Sequence, residues 1–120
     1  MKILTSLLAL LFSSFLIAQN TIIAEGKVLE QGTNYPLEYA TVSFIDASGK
    51  TVTGGITDLD GNYAIEVDAG TYTVRYEFIS YKTIEKPNQR LQQNTTLPNV
   101  YLSLDSESLD EIVVRAETTE

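Results

Sequence analysis

The sequence predicts an all-β sandwich of about seven short strands, and three observations carry that prediction. Apolar and polar residues alternate with a period of two, most clearly along Thr71–Phe78, which indicates strands with one face in a core and one in water. Glycine, asparagine and aspartate recur between these stretches, as turns between strands require. After residue 18, no stretch shows the apolar stripe of a helix.

The N-terminal segment predicts export. Lys2 precedes an apolar run from Leu7 to Ala18 that is interrupted only by two serines. A charged start, about a dozen apolar residues and a small residue at the exit are typical of a secretory signal peptide. The run is shorter than the roughly 20 residues of a membrane span. We therefore expect residues 1–18 to be a signal peptide, with an uncleaved anchor as the alternative.

The remaining 102 residues are enough for a single domain, and their composition excludes several classes of function. Removing the charge of Lys2 changes the formal net charge from −8 to −9, which argues against nucleic acid and anionic lipid as partners. The chain contains no cysteine and no histidine, so it lacks a disulfide framework and the commonest metal ligand and general base. We expect no enzyme activity, no cofactor and no metal.

The domain is expected over residues 19–104, with its strands separated by turn-forming residues. The segment from Lys86 to Asn94 is polar and is expected to be a loop. The alternation predicts strands over these ranges: Thr21–Leu29, Tyr39–Asp46, Thr51–Thr57, Tyr63–Val67, Thr71–Phe78, Tyr81–Glu85 and Thr95–Leu104.

Two motifs suggest binding sites, and each has a simpler explanation. Asp58–Asn62 is similar to the opening of a calcium loop, but Tyr63 and Ala69 stand where such a loop needs a glycine and a bidentate acid, so a turn is favoured. The tyrosines could stack on sugars, yet Tyr63, Tyr72 and Tyr76 alternate with aliphatic residues and are expected in the core. A second group of tyrosines is less certainly inward and is not expected to form a platform: Tyr35, Tyr39 and Tyr101.

Four segments in order carry a resemblance to a known family: Gly26–Val28, Pro36–Val42, Thr57–Tyr63 and Gly70–Val74. Together they resemble the carboxypeptidase-regulatory-like domain, and the resemblance covers roughly Ile22–Leu104. It implies a transthyretin-like Greek-key β-sandwich. The transthyretin-like enzymes that hydrolyse purine intermediates use histidines, which this chain lacks.

The last sixteen residues, 105–120, differ in composition from the domain. They carry six acids against Arg115, and we expect a flexible acidic tail with a short apolar, strand-forming patch. Six of these residues resemble the segment that joins this domain to the plug of TonB-dependent outer-membrane receptors in Bacteroidetes-type bacteria: Leu109, Asp110, Glu111, Ile112, Val113 and Val114.

That second resemblance implies a function and its partners. It implies a periplasmic N-terminal module of a TonB-dependent receptor, with the TonB C-terminal domain as a possible partner and the plug and barrel as further parts of the same chain. Ile112–Val114 would add a strand to a partner's sheet or, as the alternative, form an edge strand on its own sandwich or plug. The other function considered is a stand-alone domain for adhesion or carbohydrate binding, at the cell surface or secreted.

Overall fold

The structure, a computed structural model, describes residues 20–105, which form eight β-strands and contain no helix. The predicted signal peptide, residues 1–18, lies outside the described residues. Within residues 20–105, no helix is long and apolar enough to cross a membrane. The strands are β1 (Thr21–Glu30), β2 (Thr41–Ile45), β3 (Thr51–Ile56), β4 (Asn62–Asp68), β5 (Gly70–Glu77), β6 (Ile84–Leu91), β7 (Thr95–Thr96) and β8 (Val100–Leu102).

The strands form two sheets. In the first, β1 pairs antiparallel with β4 on one side and parallel with both β7 and β8 on the other. In the second, the order is β3-β2-β5-β6 and every pair is antiparallel. Side chains from both sheets meet in one buried cluster, so the predicted all-β sandwich is confirmed.

The core follows the period-two pattern of the sequence. Tyr63, Ile65 and Val67 are buried along β4 while the residues between them are exposed. Tyr72, Val74 and Tyr76 are buried in the same way along β5, where the residues between them are half-buried. The expectation that Tyr63, Tyr72 and Tyr76 lie in the core is therefore confirmed.

Two turns of the sandwich share one hydrogen-bonding pattern. In Asp46–Lys50 an oxygen of the Asp46 carboxylate accepts from the backbone N–H groups of the second and fourth following residues, at 2.9 and 3.0 Å. Asp58 accepts in the same way within Asp58–Asn62, at the same two distances. Each turn also has a glycine with positive φ three residues after its aspartate. Both aspartates are thus explained as turn-forming residues.

The prediction of a loop before the last strand was wrong. The segment expected to be a loop from Lys86 to Asn94 contains most of β6, an edge strand of the second sheet. Pro87 interrupts its pattern and Asn88 has a φ of 59°, where the pairing with β5 shifts register. Proline without an N–H is tolerated on an edge strand at a bulge, and a polar, exposed edge strand carries no apolar alternation to reveal it.

The predicted last strand, Thr95–Leu104, is divided into two strands. The domain therefore has eight strands and not the seven expected. Leu97, Pro98 and Asn99 separate β7 from β8. Leu104, at the end of the predicted strand, is 52% exposed and forms an isolated antiparallel bridge with Tyr81, whereas Val100 and Leu102 are buried. The chain has left the core before Leu104.

Candidate partner-binding groove

An open groove of about 570 Å³ lies at one end of the second sheet. It is bordered by the residues before β2 and by the end of β5 with the turn that follows. Its lining residues are Glu38, Tyr39, Thr41, Glu77, Phe78 and Ile79, and we call it the Tyr39–Ile79 groove.

The first wall of the groove is formed by Tyr39, whose backbone conformation is unusual. Its φ is 66°, in the left-handed region that a bulky side chain rarely adopts, and 66% of the residue is exposed. Such a conformation costs on the order of 1–3 kcal/mol and persists only where surrounding structure enforces it. An exposed aromatic ring held at that cost makes this wall a candidate binding surface.

The enforcing contacts come from Thr57, the one polar residue that is fully buried among the described residues. Its side-chain oxygen accepts the N–H of Ala40 at 2.9 Å and donates its own proton to the carbonyl of Leu37. Its backbone N–H donates to the carbonyl of Ala40 at 2.9 Å, and its carbonyl accepts the N–H of Tyr39 at 3.1 Å. Four hydrogen bonds thus hold the segment 37–40 in place.

The second wall is the tight turn that follows β5. The N–H of Tyr81 donates to the carbonyl of Phe78 at 3.0 Å, and Ser80 has a φ of 68°. The ring of Phe78 packs edge-on against Tyr81 with a centroid distance of 5.2 Å. The turn therefore anchors Phe78 inward and leaves Ile79 82% exposed.

The described chain ends beside this turn. The N–H of Lys82 donates to the carbonyl of Ser103, and the N–H of Asp105 donates to the carbonyl of Ser80, both at 2.9 Å. The hydroxyl of Tyr81 donates to the carboxylate of Glu30, at the end of β1. These bonds fix the C-terminal exit next to Ile79.

We expect the Tyr81–Glu30 bond to make the stability of the domain fall in acid. The bond from Tyr81, with a weaker one from Thr33, holds the pKa of Glu30 below its usual 4.5. A lowered carboxyl pKa contributes stability that is present above the unfolded value and is lost as the pH falls through the folded one. Carbon-13 NMR titration of the Glu30 carboxyl in the wild type and in Tyr81→Phe measures the effect.

Tyr81→Phe should raise the Glu30 pKa toward its usual value and flatten the dependence of unfolding free energy on pH below about 4.5. Thr33→Ala removes the weaker bond and should shift the same pKa by less. An unchanged Glu30 titration in Tyr81→Phe would contradict the assigned bond.

A second cleft, on the first sheet, is polar and includes Glu25, Lys27, Asp58 and Asn99 among its lining residues. The Asp58 carboxylate in it already accepts two backbone N–H groups of its own turn. Within residues 20–105, no group of three or more acids comes together as a metal site would need. The cleft therefore adds no support to the calcium-loop interpretation of Asp58–Asn62.

The residues predicted to bind a partner, Leu109–Val114, lie outside the described residues. The Tyr39–Ile79 groove was missed from the sequence, where Tyr39 was not expected to belong to a platform. Its one sequence signal is the apolar pair Phe78–Ile79, which breaks the alternation of β5. The strain at Tyr39 has no sequence signal, because Thr57, eighteen residues later, enforces it.

Comparison with known proteins identifies the domain. The family model described as the CarboxypepD_reg-like domain matches residues 24–114. A TonB-dependent receptor of Formosa agariphila, receptor P39, is 31% identical over 112 residues. The match covers 92% of this chain and 10% of the receptor, so the chain spans about a tenth of that relative's length.

Solved structures share the fold. A chain of a type II cohesin–X-dockerin complex from Acetivibrio cellulolyticus superposes with a TM-score of 0.57 at 25% identity, covering 68% of this chain and 56% of that one. The TIE protein of Bacillus anthracis gives a TM-score of 0.55 at 17% identity over 71% of this chain and 17% of its own. The family match, which extends over most of the chain, confirms the resemblance found in the sequence: the chain belongs to the carboxypeptidase-regulatory-like domain family.

Proposed function

We propose that the chain is a non-catalytic, periplasmic N-terminal module of a TonB-dependent outer-membrane receptor. The observation that carries the proposal is the match of 92% of this chain to a TonB-dependent receptor. An exported location agrees with the apolar segment of residues 1–18. In this position the module faces the periplasm, where energy-transmitting partners of the receptor are found.

The proposed contact with the partner is made by Leu109–Val114. An extended apolar segment can add a strand to the edge of another sheet, with main-chain hydrogen bonds giving affinity and alternate side chains giving specificity. The sandwich would fix where that segment starts, because the bond from Asp105 to Ser80 anchors the chain four residues before Leu109. The TonB C-terminal domain is the proposed partner.

The non-catalytic part of the proposal is supported by the chemistry of the described surface. The Tyr39–Ile79 groove combines aromatic and aliphatic side chains with two carboxylates. The chain has neither histidine nor cysteine to act as base or nucleophile. Such a groove is suited to holding a peptide segment.

Titration with the TonB C-terminal domain tests this function. The nitrogen-15-labelled chain from Gln19 to Glu120 contains every residue of the described core. We expect the amide signals of Leu109–Val114 to shift or broaden, and Ile112→Ser with Val114→Ser to weaken binding at least about tenfold, or 1.4 kcal/mol. Thr119→Ser is the matched tail control and should bind as the wild type does. Unchanged signals at high partner concentration would exclude strand addition.

A further inference from the structure

The Tyr39–Ile79 groove is an exposed apolar surface that does not form part of the core of the sandwich. Tyr39 and Ile79 are 66% and 82% exposed, and Ile56, at the end of β3 opposite Thr41, is 58% exposed. Exposed apolar side chains gathered at one place mark interaction sites. We propose that the groove binds the tail of its own chain, through the segment Ile112–Arg115.

The position of the C-terminal exit favours the tail as occupant. Asp105 is hydrogen-bonded to Ser80, the neighbour of Ile79 in the groove. Ile112 is the seventh residue after Asp105, and an extended chain spans at most about 25 Å over seven residue steps. The tail therefore starts beside the groove and is long enough to lie along it.

The chemistry of the tail selects which part of it binds. Ile112, Val113 and Val114 are its one run of β-branched apolar residues, and Arg115 is the only base in residues 105–120. The groove offers apolar side chains with the acids Glu38 and Glu77 at its border. A segment of three apolar residues followed by a cation matches both features, whereas the acidic remainder of the tail is repelled by the same carboxylates.

The family comparison extends the domain to this segment. The matched region runs to Val114, although the last strand, β8, ends at Leu102. The family match thus continues twelve residues beyond the last strand. These twelve residues include Ile112–Val114, most of the segment that the groove would bind. The strained backbone of Tyr39 gives an independent reason for a ligand at this wall.

Paramagnetic NMR on the chain from Gln19 to Glu120 tests the proposal without any TonB domain, so its outcome is separate from that of the proposed function. The chain has no cysteine, and Thr118→Cys therefore takes a single nitroxide label near Arg115. We expect the label to broaden the amide signals of residues 38–41 and 77–79. Ile79→Ser, and separately Ile112→Ser with Val114→Ser, should restore most of the lost intensity.

Leu59→Ser is the matched control, because Leu59 is also an exposed apolar turn residue, at 72%, and lies outside the groove. It should leave the broadening unchanged, and thermal unfolding should show that Ile79→Ser folds as the wild type does. Two results would overturn the proposal. One is an absence of broadening at the groove. The other is broadening that appears when labelled and nitrogen-15 chains are separate molecules in a mixture, which would make a second copy the occupant.

Discussion

Gly26→Ala is expected to destabilise the domain by about 3–5 kcal/mol, the range found when a buried aromatic side chain is lost from a core. Gly26 on β1 lies directly opposite Tyr63 on β4. A Cβ atom at Gly26 would lie 2.2 Å from the hydroxyl oxygen of Tyr63 and 2.4 Å from its Cζ. The ring of Tyr63 therefore occupies the space that only glycine leaves open.

Tyr63 cannot move aside without further loss. It is 3% exposed, and its hydroxyl lies 2.9 Å from that of Tyr76 on the other sheet. The two rings are tilted against each other with a centroid distance of 6.0 Å. Displacing Tyr63 would expose its ring and leave the Tyr76 hydroxyl buried without its partner, which costs about 1–3 kcal/mol by itself.

Urea unfolding followed by circular dichroism measures the effect. Gly70→Ala is the matched control: the nearest atom to its added Cβ, the hydroxyl oxygen of Tyr72, would be 3.3 Å away, and the change should cost less than about 1 kcal/mol. Tyr63→Ala removes the ring, so Gly26→Ala added to it should cost almost nothing more. Additive losses in the double variant would contradict the steric explanation.

The alternation of apolar and polar residues predicted β4 and β5 correctly, because both strands bury every second side chain. The same reasoning failed for β6, which buries little, carries Pro87, and lies at an edge of its sheet. Pairing with β5 alone makes that segment a strand, and pairing is a tertiary property. The sequence could therefore predict the sandwich but not its full second sheet.

The groove was beyond prediction for a related reason. An exposed tyrosine before a strand is unremarkable in a sequence, and the backbone conformation that presents Tyr39 depends on contacts across the fold. The family segments contain both partners, since Pro36–Val42 includes Tyr39 and Thr57–Tyr63 begins with Thr57. The two segments are connected in space by the hydrogen bonds of Thr57, which no spacing in the sequence indicates.

Thr57→Val should cost about 2–6 kcal/mol of stability and also disable the groove. Valine keeps the shape of the side chain but removes the oxygen, so the N–H of Ala40 and the carbonyl of Leu37 lose their partner in a buried site. Each such group costs about 1–3 kcal/mol when it is left unsatisfied. The segment 37–40 would then keep only its two bonds to the backbone of Thr57, and Tyr39 could leave its left-handed conformation.

Urea unfolding gives the stability of this variant, and the amide shift of Tyr39 reports its backbone. Thr57→Ser is the matched control: it keeps the hydroxyl and deletes one methyl group, so it should cost about 1 kcal/mol and leave the Tyr39 amide in place. If Thr57→Val lost stability while the Tyr39 amide stayed unchanged, the two backbone bonds of Thr57 would be enough to enforce the strain, and its hydroxyl would have no part in shaping the groove. A Tyr39 shift in Thr57→Val alone, together with loss of tail contact at residues 38–41, would show that one buried hydroxyl both stabilises the sandwich and shapes its binding surface.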